Sequence, residues 1–525
     1  MRLDEHLPAL LLALPLLGAF SAPLVGKGSR RWVELLLPVL SGLTFAVAAA
    51  LLHRVSVGGT QLYVMGAERA GLALPSGMSL PIRIVLEVDA LSALMAASGS
   101  LVAFACALFA VPYMRRFSGF DKFASLYFLL VAGMLGMEVT GDLFNFFVFL
   151  EIASVASYGL VAFWRDRPEA IEAGLKYTVV STVAALMVLF AAGFLYGNHG
   201  VLNMAAIASR VDLGVADKVA MALLFGSLAM KAGAVPMHMW LPDAYGEAPS
   251  CVSALLVSVS QASLYGLFRT SFSLFGLPRV APLLGWGLVV LGLLSMFVGV
   301  TMAIVQKEIK RLMAYHAISQ TGYMLLGVGV GLVASLSPAR MESFGLVAIG
   351  GALYHVINHA MYKGLLFLTA GAVYYSAGTR MLDQMGGLAR NMPKTASLFA
   401  LAAAAIAGLP PVNGFTSKLL IYQSSYALSP FLAAVGMITS VLTLASFVKI
   451  FQSAFLGPAL PELSEVREVP APMLAGMALL ALAIAGLSLL PGPVLEHMVM
   501  PAARALAAGI TMCSSTGPGS RDSPA

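Results

Sequence analysis

Four lysines interrupt otherwise apolar stretches of this 525-residue chain: Lys231, Lys363, Lys418 and Lys449. A lysine at the centre of a membrane-spanning helix costs roughly 2.5 to 3.5 kcal/mol, so the four would cost on the order of 10 to 14 kcal/mol if they faced lipid. They are expected to face the interior of a helix bundle, or water. The chemistry such lysines can do is to bind and release a proton, because a desolvated ammonium gives its proton up readily. Glu151, near the middle of the apolar stretch that begins Gly141-Asp142-Leu143-Phe144-Asn145, supplies a carboxylate. Isolated in lipid it would be protonated or paired, and Lys231 is the partner the sequence offers. A carboxylate brought close favours the charged lysine, and one moved away favours release. The structural alternative is a static bridge that fixes helix packing.

The surroundings of two of these lysines repeat. Lys231 lies in Met230-Lys231-Ala232-Gly233-Ala234-Val235-Pro236, where Pro236 removes the hydrogen bond to the carbonyl of Ala232 and breaks the helix beside the lysine. Lys418 follows Gly408-Leu409-Pro410-Pro411-Val412-Asn413-Gly414, a second break. Two Gly/Pro-interrupted helices in corresponding halves point to an inverted-repeat transporter, against the alternative of two unrelated kinks. Elsewhere His355, His359 and Lys363 stand at i, i+4 and i+8, along one helix face with a drift of about 40° per step. With His316 they form a polar stripe able to exchange protons near neutral pH. Packing histidines are one alternative reading, and a bis-histidine haem is another. Gly327 and Gly331 read as a close helix contact, since no strand precedes them to make a phosphate loop.

The elements that must position these groups follow from composition. The chain is 59% hydrophobic and 11% charged, which leaves far too few charges to cover a water-exposed surface. It is an all-α polytopic membrane protein. Fourteen apolar runs of spanning length are centred near residues 16, 43, 101, 132, 152, 186, 228, 262, 293, 323, 362, 411, 443 and 482. The first, Leu7 to Val25, is followed by Lys27, Arg30 and Arg31 without a typical cleavage site, and is read as a helix rather than a signal peptide. The expected organisation is residues 1–113 with a turn-rich outer segment at 53–89, five-helix repeats at 123–275 and 281–456, a last helix at 470–500, and a disordered tail at 511–525. Because five is odd, the second repeat enters the membrane from the opposite side. Of the 31 basic residues, eleven fall on the side that holds both tails and sixteen on the other. By the positive-inside rule both termini then face away from the cytoplasm, in a multi-pass cell membrane protein. The net charge of +6 is spread over short inter-helix clusters, which excludes a nucleic-acid stripe. Cys106, Cys251 and Cys513 are far apart, so no iron–sulfur or zinc site is expected, and any redox centre belongs to a partner.

Several segments together resemble the antiporter-like family shared by the Mrp cation/proton antiporters, the membrane arms of energy-converting hydrogenases and respiratory complex I. They are Asp142-Leu143-Phe144-Asn145 leading to Glu151, Glu172-Ala173-Gly174-Leu175-Lys176-Tyr177, Leu202-Asn203-Met204-Ala205, Trp240-Leu241-Pro242-Asp243-Ala244-Tyr245 with Ala248-Pro249-Ser250, Lys310-Arg311-Leu312-Met313-Ala314-Tyr315, and Gly408-Leu409-Pro410-Pro411. The resemblance covers nearly the whole chain. It implies fourteen helices, ends on the outer side, and a proton path along a hydrated axis in which Glu151, Lys231, Lys418 and His359 inherit the ion-path roles. Lys418 at the last break, with no long lateral helix after it, makes the chain look most like the Mrp D-type or hydrogenase-type subunit. One departure stands out: the family's usual lysine in the eighth helix is replaced by Gln261, within Ser253-Ala254-Leu255-Leu256 and Ser260-Gln261-Ala262-Ser263. An amide can hold water but cannot carry a proton as an ammonium does. His316, where relatives often have serine, is the group that could compensate.

The function expected is proton translocation, with cation/proton antiport as its variant, by a membrane subunit of an Mrp-type, complex I-related or hydrogenase complex. Its partners are other membrane subunits, the bilayer, and protons or Na⁺ as cargo. Two rivals stand beside it: a quinone-linked oxidoreductase subunit, for which no cofactor motif speaks, and a scaffold subunit whose path has decayed. The chain itself is expected to hold no catalytic residue, cofactor or metal, whether or not its complex is an NADH-quinone oxidoreductase-like enzyme.

Overall fold

The computed structural model describes residues 3–65, 72–73, 79–80 and 84–509. Twelve helices among them are long and apolar enough to cross a membrane. They include α1 (Leu7–Gly28), α2 (Arg30–Gly58), α3 (Ala90–Tyr113), α4 (Phe120–Val139), α5 (Leu143–Val161) and α6 (Pro168–His199). The seventh apolar run is divided into α7 (Val215–Lys231) and α8 (Trp240–Glu247), followed by α9 (Ser250–Arg269), α10 (Ala281–Ile304), α11 (Ile309–Ala334) and α12 (Leu346–Ala377). The twelfth run is divided into α13 (Pro393–Ala407) and α14 (Asn413–Leu428), and α15 (Pro430–Ile450) and α16 (Ala471–Leu489) complete the bundle. Twelve of the expected runs are helices of spanning length, and the runs centred near 228 and 411 are each covered by two shorter helices. The tail expected at 511–525 lies outside the described residues.

Which helices form the interior follows from their polarity. The most apolar stretches of α9 and α11 are completely enclosed, yet their mean hydropathy is only 1.6 and 1.5. The more exposed α2, α10 and α15 reach 2.3, 2.3 and 2.1. Lipid selects an apolar outer surface, whereas enclosed helices can carry polar groups wherever partners satisfy them. Gly327 and Gly331 lie in this interior, where a Cβ would come within 2.9 Å of the Ala348 carbonyl at the first and closer still to Ile349 at the second. Helices α11 and α12 therefore pack as closely as the small-xxx-small spacing predicts.

The segment between α2 and α3 is expected to be turn-rich, and it forms two small antiparallel pairs. Strand β1 (Gln61–Val64) pairs with β4 (Val85–Val88), and β2 (Leu72–Ala73) with β3 (Ser79–Leu80). The helix before it runs past the expected boundary at His53, to Gly58. Residues 66–71, 74–78 and 81–83 of this segment lie outside the described ones.

Candidate ion path

Both helix breaks are built alike. At the first, Gly233 adopts φ 76° and the Ala234 N–H donates to the Ala229 carbonyl at 3.0 Å. At the second, Gly408 adopts φ 76° and the Leu409 N–H donates to the Ala404 carbonyl at 3.0 Å. These are glycine-terminated helix ends that satisfy the last carbonyls before a proline diverts the chain. Ser295 of α10 accepts the Val235 N–H at 3.0 Å, and Ser488 of α16 accepts the Asn413 N–H at 2.8 Å, so a hydroxyl from a neighbouring helix serves each unwound segment.

Each break holds its lysine in the interior. Lys231, the last residue of α7, is 4% exposed and Nζ donates to Ser154 Oγ of α5 at 2.8 Å and Ser181 Oγ of α6 at 3.1 Å, 5.2 Å from the centre of the Tyr177 ring. Lys418 of α14 is 2% exposed and reaches back to the end of α13, donating to the Ile406 carbonyl at 2.8 Å, the Ala407 carbonyl at 3.5 Å and Ser440 Oγ at 3.0 Å, over the Tyr323 ring at 5.0 Å. A helix C-terminus carries partial negative charge, which is where a buried cation is best tolerated.

Glu151 is half-buried on α5, one turn before Ser154. Among the described residues no ion pair within 4 Å joins it to Lys231, so the direct static bridge is absent and the serine lies in its place. Gln261 of α9, at the position of the expected lysine, donates to the Val356 carbonyl and bonds His359 Nδ1, both at 2.8 Å. His355, one turn earlier on α12, contacts Ser417 Oγ at 3.0 Å, Gln320 Oε1 at 3.2 Å and the Tyr362 hydroxyl at 3.3 Å. Ser417 precedes Lys418, so α12 connects the amide on α9 to the neighbourhood of the second break. Lys363 donates to the Met313 carbonyl of α11. His316 is fully buried with its ring 5.0 Å from that of Phe447, and neither ring nitrogen has a hydrogen-bond partner among the described residues. The three members of the expected stripe on α12 reach α9, α11 and α14, and His316 touches none of them by a hydrogen bond. Lys449 stands near the end of α15, where it donates to the carbonyls of Ile304 and Gln306 at 3.0 and 3.1 Å.

Several contributors escape sequence reading. Ser154, Ser181 and Tyr177 hold Lys231, while Gln320, Tyr362 and Ser417 surround His355. Helical spacing offered some signal, since Ser154 is three residues after Glu151 and Gln320 four after His316. Ser181 gave none, and Tyr177 stood only as the last residue of a segment quoted for the family resemblance. The quoted motif residues Lys176, Asp243 and Arg311 prove to be neighbours away from the lysines: Asp243 pairs with Lys176 at 2.9 Å and Arg311 at 2.5 Å, locking α8 to α6 and α11.

A bundle enclosing buried lysines at interrupted helices defines a polytopic membrane protein built around an internal polar axis. Residues 140–443 match the family described as NADH:quinone oxidoreductase/Mrp antiporter, TM, and the chain belongs to it. It is 34% identical to NADH-quinone oxidoreductase subunit N of Desulforudis audaxviator over 483 residues, 90% of each chain. It is 35% identical to the D subunit of the Na(+)/H(+) antiporter of Alkalihalophilus pseudofirmus over 384 residues, 72% of this chain and 74% of that one. Among solved structures, a chain of the Mrp complex from Dietzia sp. DQ12-45-1b superimposes with a TM-score of 0.84 at 29% identity, covering 97% of this chain and 98% of that one.

Proposed function

We propose that the chain translocates protons across a cell membrane as one subunit of a multi-subunit complex, with Lys231 and Lys418 as its proton-exchanging groups. The observation that carries this is the nature of the cradle around Lys231. Two serine hydroxyls and an aromatic face hold it; Ser154 gives its own hydrogen to the Leu150 carbonyl at 2.6 Å and accepts from the lysine, while Ser181 can accept from an ammonium or donate to a neutral amine. Such a site accommodates both protonation states, where a carboxylate in contact would hold the lysine charged. Glu151, close along α5 but unbonded to Lys231, is placed to alter that balance when the helices shift.

Gln261 bonds His359, and His355 one turn away bonds Ser417 beside Lys418; these groups, with Lys363 and His316, are taken as the link from α9 toward the second lysine. Gln261 cannot carry the charge itself, so the relay crosses α9 through water or through His359. Residues 123–275 and 281–456 act as two inverted five-helix repeats, each contributing one broken helix, in a bundle of fourteen crossings. Both termini face the non-cytoplasmic side, and other membrane subunits are the partners. Proton flux into liposomes containing the purified complex tests this: Lys231→Ala and Lys418→Ala should each abolish it, and a variant that retains full flux removes its lysine from the path.

A further inference from the structure

The end of the bundle that carries the β-strands buries four charged side chains that the path above does not use. Arg269 of α9 is 4% exposed, Glu87 of β4 is 7%, and Asp89 and Glu138 are comparably buried. Asp89 caps α3 by accepting the Ser92 N–H at 2.9 Å, and the same oxygen takes Nη2 of Arg269. Arg269 lies 5.1 Å from the centre of the Tyr265 ring, and its Nη2 also reaches Ser92 Oγ at 3.4 Å. Its Nε and Nη1 have no hydrogen-bond partner among the described residues. A buried charged donor without a partner is costly, so an acceptor belongs there. Arg269 borders a partly open space of about 10 Å³ that is also lined by Glu87, Ser92, Thr140, Met204 and Tyr265. That volume suits about one water molecule. Glu87 lies across it with no ion-pair partner within 4 Å among the described residues.

We propose that this space is a proton-binding site, in which Glu87 exchanges a proton with the aqueous phase on the strand-bearing side through one water held by Arg269. Hydronium gives its proton to the Glu87 carboxylate and leaves as water, and the reverse step regenerates the carboxylate. No electrons move. The Asp89–Arg269 pair acts as the fixed frame, because Asp89 is already committed to the helix cap and the guanidinium. Arg269 and Tyr265 from α9, Ser92 from α3 and Thr140 from the turn after α4 face the site. Asp89 is two residues along from Glu87, Glu138 is in the last turn of α4, and His6 and Tyr63 bond each other at 3.1 Å beside β1. Burial raises Glu87 to about 7, with Arg269 opposing and Asp89 reinforcing the shift. Its carboxyl is therefore protonated below neutrality and ionised above.

The proposal rests on the proton-translocation reading, and its test separates the two. Infrared titration of the detergent-purified complex should show a carboxylic acid band with a midpoint near 7 that is lost in Glu87→Gln, moved in Glu87→Asp and kept in Glu138→Gln. In liposomes, stepping the strand-side pH from about 6 to about 8 changes the protonated fraction about tenfold, and the flux should follow it in wild type but vary less than about twofold in Glu87→Gln. A band unchanged in Glu87→Gln overturns the site. A band that disappears while the flux profile stays the same overturns its role as a port. A wild-type complex that shows the band and moves no protons overturns the translocation reading, with the Glu87 titration standing by itself.

Discussion

The two helix breaks share a backbone plan and differ in what surrounds the lysine. Lys231 ends the half-helix before its break and is held by hydroxyls contributed by α5 and α6. Lys418 belongs to the half-helix after its break and is held mainly by carbonyls at the end of α13, with one hydroxyl from α15. Carbonyl oxygens only accept hydrogen bonds, whereas a hydroxyl can accept or donate, so the two cradles offer their lysines different partners.

The largest expected effect breaks the comparison at its second member. Lys418→Arg should lose flux almost as completely as Lys418→Ala, because arginine keeps its charge and does not release its proton in proteins. Normal pumping by the arginine variant in a reconstituted complex would make Lys418 an electrostatic fixture.

At the first break, Glu151→Gln should cut flux strongly while subunit yield stays normal, since no ion pair is lost. A static bridge would instead cost roughly 3 to 5 kcal/mol when broken and show as poor assembly. Yield and flux measured together decide it, and normal values of both remove Glu151 from the mechanism.

Gln261→Leu cuts the link between the regions. Loss of the bonds to His359 and the Val356 carbonyl should lower stability by about 1 to 3 kcal/mol in thermal unfolding and reduce flux severalfold. Unimpaired flux would mean that the two breaks work independently.

The smallest effects separate the cradles themselves. Ser154→Ala with Ser181→Ala removes both hydroxyls from Lys231 and should slow flux, whereas Ser440→Ala leaves Lys418 its carbonyls and should cost about 0.5 to 1.5 kcal/mol of stability at unchanged flux. Equal flux losses from the two sets would erase the distinction drawn between them.

The span pattern, both breaks and the lysines beside them were legible in the sequence because each is local: an apolar run of fixed length, a proline that removes a donor, and a cation inside lipid-length sequence. Partners were less legible, because they come from other helices. Spacing places His355, His359 and Lys363 near one face, but it does not tell which neighbours they meet: His359 bonds Gln261 of α9, Lys363 reaches α11, and His355 touches both α11 and α14. A buried ammonium suggests a carboxylate partner for Lys231, and hydroxyls from Ser154 and Ser181 serve instead, one of them 50 residues away in sequence. Glu87 and Arg269 line one space although they are far apart in sequence, a proximity that no local pattern signals.

Trp240 stacks on Tyr177 with ring centres 4.5 Å apart and planes within 8°, and its Nε1 donates to the Met230 carbonyl at 3.1 Å. The far member of that stack is the ring beside the Lys231 ammonium. The chain has four tryptophans; Trp32 and Trp286 are exposed, and Trp164 is buried against Phe117 and Tyr374. An indole bonded to the carbonyl just before the lysine and coupled through a neighbouring ring to its charge is a built-in optical probe. With the other three tryptophans changed to phenylalanine, its emission would follow the first break opening and discharging in real time, without a label.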